Sequence, residues 1–235
     1  MKKRQQQRRQ KALMKKRQKK VAQKRKPHRS LIERSPTQRI RAARMLPVEE
    51  CLINRGWKES GMAHILLSRK QPDGDLTFAS YLVDVFCLGL KDTMCNVDMP
   101  PSRLKRKLKA MVYGDDPAIP CSPHLANQII YGAIEYAAEL GFRPNKDFRH
   151  SQYVLEERDS TQEVYDVSFG KDGKPFFVAG PHDDARRIMA MLERKLGSDG
   201  FHYLVEVSAF AEDDEEAWEE ADNRRLMEAE KEGNT

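Results

Sequence analysis

The chain has 235 residues, of which 39% are hydrophobic and 33% charged, and its formal net charge is +6. No apolar run approaches the ~20 residues of a membrane span and the N-terminus lacks the apolar core of a secretory signal, so we expect neither a membrane protein nor an exported one. The four cysteines are widely spread and form no paired framework, which indicates reduced thiols in a cytoplasmic protein, or a nuclear one if the source is eukaryotic.

The charge is distributed very unevenly along the chain. The first 44 residues contain nineteen lysines and arginines and one acid, whereas residues 211–235 contain eleven acids and three basic residues. The basic segment has no Phe, Trp or Tyr and few aliphatic residues, so it cannot bury enough apolar surface to offset the entropy of folding. We predict a disordered or conditionally helical basic tail over 1–46, a folded domain over 47–209, and an acidic tail over 210–235.

The basic tail is suited to binding a polyanion. A flexible cluster of cations displaces counterions from phosphates without reading the bases. We therefore expect RNA, DNA or a ribonucleoprotein as the partner, and no groove-reading or aromatic RNA-recognition motif accompanies the charge. The candidate nucleic-acid contacts are Lys2, Lys3, Arg4, Arg8, Arg9, Lys11, Lys15, Lys16, Arg17, Lys19, Lys20, Lys24, Arg25 and Lys26. The same charge is also compatible with a nuclear import signal, or with a segment that binds an acidic protein partner.

The predicted domain begins with a meander of strands. Met62–Arg69 is apolar and partly β-branched, and the sequence QPDG at 71–74 is a strong turn signal. Leu76–Leu90 reads as one long buried strand or as two short ones. Two prolines at 100–101 then end the sheet.

Two helices follow the meander. Ser102 can cap a basic amphipathic helix, whose apolar residues at helical spacing are Leu104, Leu108 and Met111. The clearest helix is Pro123–Leu140, because Ser122 is a good N-cap, proline is favoured at the first helical position, and Gly141 is a natural left-handed stop.

The second half of the domain predicts a hairpin, a helix and a closing strand. Val164–Phe169 and Lys174–Ala179 flank an Asp-Gly turn pair at 172–173. A helix begins at the aspartate pair 183–184, and Phe201–Val207 alternates as a strand. Taken with the first half, these elements predict a single α+β domain with a mostly antiparallel sheet and three or more helices.

Two aspartates near the centre of the chain are candidate catalytic residues. Asp84 lies inside an apolar strand, where an unpaired carboxylate is costly, and Asp92 follows near the strand end. Such a pair could hold Mg²⁺ or Mn²⁺ in a nuclease of the ribonuclease H type. The alternative is structural: Asp84 pairs with Lys91, Arg69 or backbone amides, or faces solvent.

A zinc site is the second possibility that the sequence raises. Cys121 and His124 have a tolerable ligand spacing, and Cys87 or Cys95 could complete the set. The CxxC pairs of structural zinc sites are missing, and a cysteine within an apolar strand such as Cys87 often behaves as a small buried hydrophobe. We therefore expect no resident metal or cofactor.

Three segments resemble those of an uncharacterised family of bacterial proteins. They are YLVDVFCLGLKD at 81–92, GAIEYAAELGFRPNKDF at 132–148 and FGKDGKPFFVAGPHDD at 169–184. The resemblance implies a bacterial cytoplasmic setting and transfers no activity or catalytic residue. The sequence thus favours a non-catalytic adaptor tethered to nucleic acid by residues 1–46, with the nuclease and a protein-interaction module as the alternatives.

Overall fold

A computed structural model describes residues 35–114, 116–158 and 164–205. Its main feature is a five-stranded sheet of order β4-β3-β2-β1-β5, in which every neighbouring pair is antiparallel. The strands are β1 (Val48–Asn54), β2 (Met62–Lys70), β3 (Leu76–Asp84), β4 (Gly89–Met99) and β5 (Ala118–Pro120). The α+β class and the mostly antiparallel sheet are therefore confirmed.

Helices surround this sheet and lead to a small second sheet. The helices are α1 (Pro36–Arg41), a 3₁₀ turn (Ala43–Met45), α2 (Trp57–Ser60), α3 (Pro101–Arg103), a π-helical turn (Leu104–Leu108), α4 (Lys109–Tyr113), α5 (Pro123–Leu140), α6 (Phe148–Ser151) and α7 (Ala185–Leu196). The second sheet contains β6 (Phe176–Val178) and β7 (His202–Leu204). Within the three described ranges, no helix has both the length and the apolarity that crossing a membrane requires.

Helix α5 forms where the sequence predicts it. The Ser122 hydroxyl accepts a hydrogen bond from the His124 amide at 3.2 Å, and Gly141 ends the helix in the left-handed conformation at φ 98°. Ile129 and Ala133 on its apolar stripe are fully buried against the sheet. The capping signals and the 3.6-residue periodicity agree here, so the local sequence is sufficient to predict this helix.

The sheet is covered on both faces. One face packs against α5 through Cys51, Ile53, Ile65, Leu67, Tyr81 and Val83. The opposite face packs against the helical segment 101–113 through Leu52, Leu66, Leu76 and Phe78. Since both faces are buried, the central strands β2 and β3 are buried at almost every position rather than at alternating ones.

The segment 101–113, hereafter the basic helix, differs in two details from the prediction. Pro101 occupies the first helical position, so Ser102 lies inside the first turn and caps nothing. Leu104 and Leu108 are buried as predicted, but Met111 is 63% exposed. The Lys109 amide bonds to the Leu104 carbonyl in a π turn, and this extra residue shifts the helical phase, so that Met111 faces solvent whereas Tyr113 is buried on the sheet.

Strands β3 and β4 divide the predicted apolar run Leu76–Leu90. The turn 85–88 separates them, and Asp84 pairs with Gly89 directly across it. The reading as two strands is correct, although β4 continues to Met99. Strand β1 was not predicted, because its first half, Val48–Glu50, is polar and partly exposed.

The predicted hairpin over 164–179 is wrong. Val164–Phe169 is not a strand, because the Gln128 side-chain amide of α5 bonds to both the amide and the carbonyl of Tyr165. Phe169 stacks on Tyr136 of the same helix, with ring centroids 6.0 Å apart. Strand β6 instead pairs in parallel with β7, and α7 provides the crossover that a parallel pair needs.

Part of the predicted basic tail is folded. Ser35 and Gln38 form a capping box at the start of α1, and Ile40 and Ala43 are buried. The folded unit therefore includes residues 35–46, upstream of the boundary predicted at residue 47. The remaining tail, 1–34, and the acidic segment 210–235 lie outside the described residues.

A buried arginine joins three segments of the fold. Arg69 on β2 is 1% exposed, and its guanidinium donates to the carbonyls of Val154, Leu46 and Arg44 at 2.6, 2.7 and 3.3 Å. It also forms an ion pair with Glu156 at 2.9 Å. Four oxygens thus satisfy a cation that would otherwise be costly to bury.

Candidate functional site

The fourteen candidate tail contacts, Lys2 to Lys26, lie outside the described residues. The described part of the chain carries a second cluster of positive charge on the basic helix. Its outward-facing residues Arg103, Lys105, Arg106 and Lys107 are all exposed. None of the four forms an ion pair with a carboxylate of the described residues, whereas the neighbouring Lys109 pairs with Glu50 at 2.6 Å.

The fold determines the direction of this charge. Leu104 and Leu108 anchor one side of the basic helix on the sheet, so the residues between them project away from it. The segment 101–113 contains five basic residues and no acid. It therefore presents a continuous cationic surface of the kind that contacts phosphates.

Asp84 closes the turn between β3 and β4. It is 4% exposed, and its Oδ1 accepts hydrogen bonds from the amides of Phe86 and Cys87, both at 2.9 Å. Its Oδ2 accepts from the Leu88 amide at 3.1 Å. Burial raises the pKa of Asp84 above its ordinary value, while these three amides and the nearby Lys91 act in the opposite direction.

Asp92 has a different environment. Its side chain is exposed on the edge strand β4 and accepts a hydrogen bond from the Asn145 side-chain amide at 3.1 Å. The two carboxylates therefore differ in burial and in partners: Asp84 binds backbone amides of its own turn, and Asp92 faces solvent. Among residues 35–114, 116–158 and 164–205, no three His, Cys, Asp or Glu side chains form a group that could hold a metal ion. The nuclease stays a prediction.

The zinc candidates are dispersed, but one of them has an unpredicted partner. The Cys121 sulfur lies 3.3 Å from that of Cys51 on β1. His124 contributes its amide to the α5 cap, and its Nδ1 is buried without a protein partner. Cys87 packs in the apolar cluster beneath α7, and Cys95 lies in β4 at the border of the main core.

A cavity of about 380 Å³ lies between α1, β4 and α6. This volume is within the range of small-ligand sites. The apolar residues Ile40 and Val97 line it together with Cys95, Asp147 and His150. The cavity thus lies at the β4 edge of the sheet, and the β5 edge is at the opposite end of the strand order.

Sequence reasoning missed two of these arrangements. The Cys51–Cys121 contact depends on β5 returning to pair with β1, and no local pattern predicts this pairing. The cavity depends on how α1 packs against β4. The apolar character of CLIN at 51–54 was the available signal for a strand with Cys51 facing the core.

Comparisons with protein-family models, with curated proteins and with solved structures gave no match to this chain. No relative therefore contributes an activity or a binding residue. The features of the chain that bear on its function are the charge of the tail and the exposed cations of the basic helix.

Proposed function

We propose that this protein is a non-catalytic adaptor that binds RNA, DNA or a ribonucleoprotein through its basic N-terminal tail. The observation that carries the proposal is the charge of the first 44 residues, nineteen basic residues against one acid. Cations at this density bind phosphates mainly by releasing condensed counterions. We place the adaptor in the cytoplasm, where four free thiols are stable in the reduced state.

The basic helix supports the same proposal from within the folded domain. Its four exposed cations are available to phosphates because no described carboxylate neutralises them. The two surfaces would act together: the tail wraps the nucleic acid, and the rigid cationic face orients the domain on it. Once the tail is bound, tethering raises the effective concentration of the basic helix at the nucleic acid. The rest of the domain is then held next to the nucleic acid, where its other surfaces can contact further partners of the adaptor.

The test is a fluorescence-anisotropy titration of labelled single-stranded RNA and duplex DNA with the full-length protein at several salt concentrations. In a tail variant, the fourteen cations from Lys2 to Lys26 become Gln; in a helix variant, Arg103, Lys105, Arg106 and Lys107 become Gln. A control variant replaces four exposed cations elsewhere by Gln, at Arg143, Lys146, Arg194 and Lys195. The control matches the helix variant in charge, so it separates position from net charge.

We expect the tail variant to lose most of the affinity and most of its salt dependence. If the wild type neutralises about six to ten phosphates, its affinity falls roughly 10³- to 10⁵-fold between about 50 and 200 mM salt. The helix variant should reduce the slope of log K against log salt by about 0.7 to 0.9 for each phosphate that its side chains no longer neutralise. Unchanged binding by the tail variant would refute the adaptor, and equal effects of the helix and control variants would remove the basic helix from the interface.

The same titration discriminates the two alternatives. Cleavage of the probe that requires Mg²⁺ or Mn²⁺ and is lost in Asp92→Asn would assign a nuclease, since the exposed Asp92 can be replaced without disturbing the core. No binding to either nucleic acid, combined with a tail-dependent protein complex that resists nuclease treatment, would assign an interaction module for an acidic partner.

A further inference from the structure

Two of the four cysteines meet across the end of the main sheet. Cys51 lies on β1 and is 7% exposed, whereas Cys121 follows β5 and is partly exposed. Their sulfurs are 3.3 Å apart, and the Cys121 amide donates to the Cys51 carbonyl at 3.0 Å. The two residues are therefore opposite each other in a hydrogen-bonded antiparallel pair that continues the β1–β5 register.

This placement is compatible with a disulfide bond. Opposed residues in a hydrogen-bonded antiparallel pair have Cα atoms about 5.5 Å apart, and disulfides span roughly 4.4 to 6.8 Å between Cα atoms. A sulfur–sulfur bond of about 2.05 Å requires the two atoms to approach by a little over 1 Å. Side-chain rotation can supply this movement, so the strands do not have to separate.

The environments of the two thiols give them different roles. The hydrogen bond from Cys51 lowers the pKa of Cys121, and the same bond together with burial raises the pKa of Cys51. Cys121 also immediately precedes the Ser122 N-cap of the 18-residue helix α5, where the helix dipole favours a thiolate. Because Cys121 is the more exposed residue of the two and lies at the start of α5, we assign it as the nucleophile and the buried Cys51 as its partner.

We propose that Cys51 and Cys121 form an oxidation site, a dithiol that hydrogen peroxide converts into a reversible intramolecular disulfide. The Cys121 thiolate attacks one peroxide oxygen and the O–O bond breaks, which leaves a sulfenic acid and a hydroxide that takes up a proton to become water. The Cys51 sulfur then attacks the Cys121 sulfur; the S–S bond forms, the S–O bond breaks, and the hydroxyl leaves as water with the Cys51 proton. Two electrons pass from the sulfurs to the peroxide. A small dithiol reductant then returns the disulfide to two thiols by thiol–disulfide exchange and is itself oxidised to a disulfide.

The test treats the reduced full-length protein with hydrogen peroxide, unfolds it in denaturant so that buried thiols become accessible, blocks the remaining thiols with N-ethylmaleimide, and measures intact mass and disulfide-linked peptides. We expect two of the four thiols to become unreactive, a Cys51–Cys121 linked peptide, and recovery of all four thiols with dithiothreitol. In Cys51→Ser, the sulfenic acid on Cys121 has no partner and is captured by dimedone. In Cys121→Ser, both the disulfide and the dimedone adduct are lost.

Cys87→Ser and Cys95→Ser are the matched controls, because neither of these thiols has a sulfur partner among the described residues. Both controls should form the Cys51–Cys121 bond at the wild-type rate. Four alkylated thiols after peroxide, a disulfide between two protein molecules, or dimedone capture on Cys51 instead of Cys121 would each overturn the proposal. This experiment does not involve nucleic acid, so its result is independent of the adaptor function.

Discussion

Replacing Arg69 by methionine should destabilise the fold more than any conservative surface change. Methionine matches the apolar stem of the arginine side chain but lacks the guanidinium and supplies no hydrogen-bond donor. The substitution therefore leaves the carbonyls of Val154, Leu46 and Arg44 without this donor, and Glu156 without its ion pair. The matched control is Lys70→Met on the adjacent position of β2, whose exposed ammonium is 3.5 Å from Glu49.

The magnitude follows from the burial of these groups. A buried acceptor left without a partner costs about 1 to 3 kcal/mol, and removing one partner of a buried ion pair costs about 3 to 5 kcal/mol. These contributions overlap, since they belong to one guanidinium and Glu156 is partly exposed, so we expect a total of about 3 to 5 kcal/mol. The surface pair of Lys70 contributes about 0 to 1 kcal/mol.

Urea unfolding of the full-length variants, followed by circular dichroism, measures this difference. We expect Arg69→Met to lower the midpoint strongly at an unchanged m-value, and Lys70→Met to leave it almost unchanged. A difference below about 1 kcal/mol between the two variants would mean that the four oxygens find water or other donors, and would refute the role assigned to Arg69.

Two further predictions concern the same unfolding assay. Burial lowers the pKa of His64 below 6.5. Between the lowered value and 6.5 the unfolded state therefore binds more protons than the folded state, so the free energy of unfolding rises with pH. We expect His64→Gln to reduce this rise, whereas His202→Gln, at an exposed position, should leave it unchanged. Gly89→Ala should cost about 2 to 4 kcal/mol, because φ is +71° and a Cβ would lie 2.7 Å from a side chain of α5. Gly74→Ala, at φ +94° with open space around it, should cost only about 1 kcal/mol, and equal losses at the two glycines would contradict the steric argument.

The elements that the sequence predicts well are those defined by local chemistry. Helix α5 has its cap, its first-turn proline, its apolar stripe and its terminal glycine within twenty residues, and all of them act together. The turn at 71–74 and the N-cap at Asp184 are equally local. Local signals of this kind require no knowledge of the rest of the fold.

The elements that it does not predict depend on distant partners. The Asp-Gly pair at 172–173 does form a turn, with one bridge between Lys171 and Lys174. The hairpin does not extend further, because the backbone of Tyr165 hydrogen-bonds to the Gln128 side chain instead of to a second strand. The contact between Cys51 and Cys121 likewise depends on a pairing that spans 70 residues. For Asp84, the sequence left a metal ligand and a backbone-bonded carboxylate both open, and the amides that it binds belong to its own turn.

The packing of α1 has a consequence for self-association of the protein. Strand β4 is an edge of the sheet, and an uncovered edge strand is a template for pairing with another molecule. Helix α1 packs against β4, where Arg39 binds Asp98 and Ile40 is buried. A chain that starts at residue 47 would lose this cover and is expected to aggregate through β4, whereas a chain that starts at Ser35 would keep it. These first residues of the folded unit thus shield strand β4 from pairing with the edge of another molecule.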